Sequence, residues 1–103
     1  MNITDILYEI SHLLSICNHR EISDWLKQKA QQLTQEQDAC KRNEILLEIK
    51  DSLAGMGSLS DIYLVPPEET GLSKRQANEK LGILIGILDQ ELRSALQEKH
   101  RGL

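Results

Sequence analysis

Apolar residues at Ile3, Ile6, Leu7, Ile10, Leu13, Leu14 and Cys17 recur every three or four positions, which is the spacing of one face of an α-helix. Asn2 or Thr4 can cap the first turn by accepting from its orphan backbone N–H groups, and the helix is expected to end near Asn18. A second stripe of Trp25, Leu26, Ala30 and Leu33 predicts a helix from about Ser23, with Lys27, Gln28 and Gln31 turned to water. Thr34 followed three residues later by Gln37 matches a capping box, in which hydroxyl and amide satisfy backbone donors at a helix start. The third helix that follows has Ala39, Ile45 or Leu46, Ile49 and Leu53 on its inner face, and Gly55 stands where a left-handed residue usually ends a helix.

Beyond Gly55 the helical period is lost. Gly55, Gly57, Pro66 and Pro67 are breakers, and Ile62, Tyr63, Leu64 and Val65 form a short extended run. Ser73 with Gln76 repeats the capping box, and a final helix is expected from about Lys74 to near Lys99, roughly 40 Å long. Around Leu81, Ile83, Leu84, Ile85, Ile87 and Leu88 this helix is apolar on nearly every side, as in a helix buried by several neighbours. Gly82 and Gly86 form a G-x-x-x-G pair that reads as room for a close helix crossing inside the protein. The expectation is one all-α domain over residues 1–103, a small bundle of four to five helices. It has a long central C-terminal helix and one irregular loop at about 55–72.

Composition sharpens this picture. Phe is absent, the aromatics are Tyr8, Trp25 and Tyr63, and Val65 is the single valine, so the β-branched and aromatic side chains that favour strands are nearly missing. At 103 residues, 40% hydrophobic and 27% charged, the chain has the size and balance of one packed domain, far from the disordered regime. Met1–Ile10 carries Asp5 and Glu9 in place of a basic flank and a continuous apolar stretch, so a cytoplasmic location is expected. The longest apolar run, Leu81–Leu88, falls well short of the roughly 20 residues that span a bilayer. Cys17 and Cys40 are too few and too far apart for a disulfide scaffold. Both are expected as free thiols, with Cys17 buried in the first stripe.

Candidate chemistry is sparse. His12, His19 and His100 fall on different elements, and Glu9 with His12 gives one E-x-x-H spacing without the second motif and extra glutamates that a carboxylate-bridged metal site needs. No nucleophile-elbow, phosphate-loop or dinucleotide fingerprint occurs. The expectation is therefore no enzyme activity, no metal and no cofactor. A pI near 5.3 argues against direct nucleic-acid binding, which needs clustered Lys and Arg against phosphates. The negative charge is uneven. Residues 36–69 hold eight acidic against three basic residues, a net of −5, which leaves +1 elsewhere within the whole-chain −4. On the helices, Glu44, Glu48 and Asp51 suit a solvated face. On the loop, Asp61, Glu68 and Glu69 lie beside Tyr63, Leu64 and two prolines, an acidic and aromatic combination suited to a basic cleft.

The stretch Gly55, Met56, Gly57, Ser58, Leu59, Ser60, Asp61, Ile62, Tyr63, Leu64 resembles a segment of small bacterial helical proteins, among them immunity proteins of contact-dependent growth inhibition systems. The resemblance covers about ten of the 103 residues. It implies a protein that binds and neutralises a cognate toxin domain, often a ribonuclease, by occluding its basic active site in a 1:1 complex. Asp61, Tyr63, Glu68 and Glu69 would form the partner-binding surface. The glycines and serines of the stretch equally suit caps and turns that only shape the loop. The alternative is a helical adaptor or regulatory subunit that binds a partner protein through an apolar groove.

Overall fold

The computed structural model describes residues 2–53 and 62–101. Four α-helices account for most of them: α1 (Ile3–Ile16), α2 (Arg20–Gln35), α3 (Ala39–Asp51) and α4 (Lys74–Arg101). Among the described residues a 3-10 turn, Glu68–Thr70, lies between α3 and α4, and no strand occurs. The protein is all-α, as the hydrophobic period predicts. The helices are arranged as a ring, in which α1 packs on α2 and α4, and α3 packs on α2 and α4. The overall extents are 50 × 26 × 22 Å, and the long dimension is set by α4, whose 28 residues span about 42 Å.

The core is aliphatic. Ile6, Leu7, Ile10, Leu14, Leu26, Ile49, Leu64, Leu88 and Leu92 are completely buried, joined by Leu13, Leu33, Leu81 and Leu84. α1 places the largest share of its side chains inside, on the stripe read from its sequence. Asn2 caps it, its Oδ1 accepting the Asp5 N–H at 2.8 Å. Its other end closes in a Schellman arrangement: Asn18 takes the left-handed conformation (φ 69°), His19 N–H donates to the Leu14 carbonyl at 2.8 Å, and Asn18 N–H donates to that of Ser15 at 3.2 Å.

That tight closure lets α2 begin at Arg20, one turn before the expected start at Ser23. Ser23 is no cap. It is buried against α1, where its hydroxyl donates to the Ser11 carbonyl at 2.8 Å while the Ser11 hydroxyl donates to the Ser23 carbonyl at 2.9 Å. The capping box expected at Thr34 and Gln37 does not form either. Thr34 is still inside α2, its hydroxyl donating to the Ala30 carbonyl at 2.9 Å, and α3 is capped by Asp38, whose Oδ1 accepts the Cys40 N–H at 3.0 Å. The physical reason lies in Leu33, which is buried and keeps its turn of α2 helical. The carbonyls then left over at the end of α2 are taken by the Arg42 guanidinium, which donates to those of Leu33 and Glu36. α2 and α3 are tied again by the Lys29–Glu48 ion pair, with the Lys29 ammonium 5.4 Å from the ring centroid of half-buried Trp25.

The long C-terminal helix is present and capped as expected: Ser73 N–H donates to Gln76 Oε1 and Gln76 N–H to Ser73 Oγ, each at 3.0 Å. It stands in the ring and does not run through the middle. Ala77, Leu81, Leu84, Leu88 and Leu92 face inward, whereas Ile83 is 63% exposed and Ile87 37%. Gly82 and Gly86 open onto empty space, with nothing within 4 Å of where a Cβ would sit, so they serve no internal helix crossing. The expected stop at Gly55 lies outside the described residues, and α3 ends at Asp51.

Candidate partner-binding loop

The loop is positioned by the first turns of α4. Asn78, held one turn past the capping box, presents its side-chain amide to a single residue of the incoming chain. Its Oδ1 accepts the Leu64 N–H at 2.8 Å and its Nδ2 donates to the Leu64 carbonyl at 2.9 Å. The same Nδ2 also donates to the Lys74 carbonyl at 2.7 Å, which fixes the amide on its own helix. One amide can engage both backbone groups of a residue only if they point the same way, as in an extended strand. The Leu64 side chain is fully buried, so period-two alternation turns its neighbours outward: Tyr63 is 65% exposed and Val65 53%.

Pro66 and Pro67 carry the chain into the 3-10 turn. There the Thr70 hydroxyl donates to the Pro67 carbonyl at 2.7 Å and accepts the Leu72 N–H at 3.2 Å. Gly71 follows in the left-handed conformation (φ 72°), which a glycine adopts without steric cost. Glu68 and Glu69 occupy the start of this turn, exposed and without an ion-pair partner among the described residues.

Of the four residues singled out from the sequence, Tyr63, Glu68 and Glu69 are therefore exposed on one ordered loop, while Asp61 lies outside the described residues. Most of the Gly55–Leu64 stretch lies outside them too. Val65 belongs with the exposed set, and the inward-pointing Leu64 beside it was the signal that could have revealed it. Chemically the loop offers an aromatic ring, a β-branched apolar side chain and two carboxylates on a backbone held by hydrogen bonds. Such a combination is chemically complementary to a surface carrying basic groups next to apolar ones.

The rest of the molecule offers less. His12 is exposed and His19 half-buried, on separate elements. Among the described residues no group of three His, Cys, Asp or Glu side chains is placed to hold a metal ion. Cys17 is buried, and burial pushes its thiol pKa up; Cys40 is exposed, and both are free. Of the helix acids, Glu48 pairs with Lys29, while Glu44 and Asp51 face water. An open groove of about 410 Å³ lies at the end of the ring where α1 and α3 begin and α2 ends. Ile3, Leu33, Leu46 and Ala95 form its apolar lining, and Arg42 and Glu91 its charged lining. Among the described residues no helix is long and apolar enough to cross a membrane. No protein-family model, curated protein or solved structure matches this chain.

Proposed function

We propose that this chain is a protein-binding inhibitor of the immunity type, which neutralises a cognate toxin domain by docking the loop around Tyr63, Val65, Glu68 and Glu69 into a basic active-site cleft. The observation that carries the reading is the loop's anchorage. A segment tied by Asn78 and braced by its own 3-10 turn presents contact residues with little ordering left to be done on binding, and such preorganisation favours affinity. Its charge supports the same reading, because a ribonuclease site must be basic to hold phosphates and two unpaired carboxylates can occupy that field without being cleaved. In this reading the protein acts in the cytoplasm as a 1:1 partner of the toxin, without a cofactor and without catalysis of its own.

The test is Glu68→Lys together with Glu69→Lys, assayed against the toxin domain encoded immediately upstream, after checking that the helical spectrum is unchanged. The expected result is a loss of about tenfold or more in affinity, roughly 1.4 kcal/mol, with a shallower dependence on salt. Unchanged affinity would remove the loop from the interface and leave it as a brace for α4. The adaptor reading has its own observation in the groove lined by Ile3, Leu33, Leu46 and Ala95. Binding through that apolar floor would be nearly indifferent to salt, whereas loop docking weakens steeply as ionic strength rises.

A further inference from the structure

Among the described residues, the outward face of α4 carries helix-weakening glycines that no packing inside the protein requires. Gly82 and Gly86 sit in mid-helix, where glycine disfavours the helical state, yet both open onto empty space. Beside them, Ile83 and Ile87 are exposed at 63% and 37%. Glycines one turn apart on an exposed face allow a second helix to approach to backbone distance. The charges on this face select which helix that is. Glu79 and Arg93 each lie seven residues from Gly86, on opposite sides and on the same face, about 10 Å along the axis.

We propose that this face docks against itself in a second copy of the chain, the two α4 helices crossing antiparallel at Gly86. In that arrangement Glu79 of each copy meets Arg93 of the other, and the two-fold axis makes the contact twice. A parallel pairing would set Glu79 against Glu79 and Arg93 against Arg93, repulsions that Arg75 and Asp89 only partly offset, so charge favours the antiparallel orientation. The same two-fold brings Ile83 and Ile87 of the two copies together along one edge of the glycine contact. Both charged groups are exposed and engaged only in surface ion pairs along their own helix, which are weak enough to be shared with or exchanged for a partner's charge. The Glu79 side chain is 62% exposed in its pair with Arg75, and Arg93 is 66% exposed in its pair with Asp89. A single helix face is a small interface, so the dimer is weak and forms in the micromolar range. The proposal uses none of Tyr63, Val65, Glu68 and Glu69, so it does not rest on the inhibitor reading.

Sedimentation equilibrium of the whole chain at low salt tests it. The expected result is a reversible monomer–dimer equilibrium. Glu79→Arg alone and Arg93→Glu alone should each weaken it about tenfold or more, because each replaces two attractions by two repulsions, and the combined swap should restore it to within about threefold. Gly86→Leu should abolish it while the helical spectrum is kept, since the side chain points into open space in the monomer. A protein that stays monomeric up to about 1 mM, the limit of a meaningful affinity, would overturn the proposal. So would a dimer that survives Gly86→Leu, or single reversals that the swap fails to rescue.

Discussion

Ser11 and Ser23 are the only serines buried among the described residues, and each uses its hydroxyl on the other's backbone. Their hydroxyls also lie 2.8 Å apart, so α1 and α2 approach closely enough for a single hydroxymethyl group to bridge the two backbones. Larger side chains would force the helices apart, which is why this position on a leucine-rich stripe is polar and small. The energetic consequence is non-additive. Ser11→Ala removes the hydroxyl bond to the Ser23 carbonyl and leaves the Ser23 hydroxyl oxygen facing a methyl group in a dry interface, and should cost about 1–3 kcal/mol. In the Ser11→Ala/Ser23→Ala double variant no hydroxyl is left to satisfy, and both carbonyls keep their helical amides. The double loss should then be smaller than the sum of the singles by at least about 0.5 kcal/mol. Urea unfolding of the four proteins checks this, and strict additivity would contradict it.

α4 and the loop before it act as one element. The capping box starts the helix, the helix positions Asn78, and Asn78 fixes the extended run at Leu64. Asn78→Ala removes all three hydrogen bonds of that amide at once, leaving a buried leucine on a backbone with no lateral partner. Global stability should fall by about 1–3 kcal/mol. The Leu64 amide should lose protection from hydrogen exchange, while amides in the middle of α1 keep theirs in proportion to the remaining stability. Protection at Leu64 undiminished relative to α1 would mean that Pro66, Pro67 and the 3-10 turn hold the run without the clamp. Tyr63 and Val65 depend on the same clamp for their presentation, so under the proposed inhibitor function this variant should also weaken toxin binding without touching a proposed contact residue.

At the scale of the whole molecule, the ring joins neighbours in sequence and closes between α1 and α4. Cys17 stands at the end of α1, 5% exposed, where a thiolate would be stripped of water. Its pKa is raised in the folded state by burial, so the unfolded chain releases the proton first. The stability due to a neutral Cys17 is fully present below the ordinary thiol value of 9.0 and is lost as pH rises through the raised folded value. Against a Cys17→Ala variant, the wild-type advantage in unfolding free energy should therefore shrink as the buffer moves from pH 8 to above about pH 9. A difference that stays flat across that range would show that the thiol reaches water.

Local periodicity determined most of the fold. The apolar stripes of α1 and α2, the Ser73–Gln76 cap, the extended run before Pro66 and the absence of strands among the described residues are all consequences of nearest-neighbour chemistry, which acts before any helix meets another. The exposure of Tyr63, Glu68 and Glu69 was readable for the same reason, since the breakers around them exclude a helix. What tertiary structure alone decided are the choices that depend on a distant partner. Ser23 could start α2 or lie inside it against Ser11, and only the nearness of α1 selects the second. Thr34 could start α3 or finish α2, and the burial of Leu33 with the reach of Arg42 selects the latter. Ile83, Ile87, Gly82 and Gly86 carry the pattern of a buried helix, yet a ring of four gives α4 two helical neighbours and leaves that face open. A periodic sequence states which side chains are apolar; how many helices are available to cover them is a property of the assembled bundle.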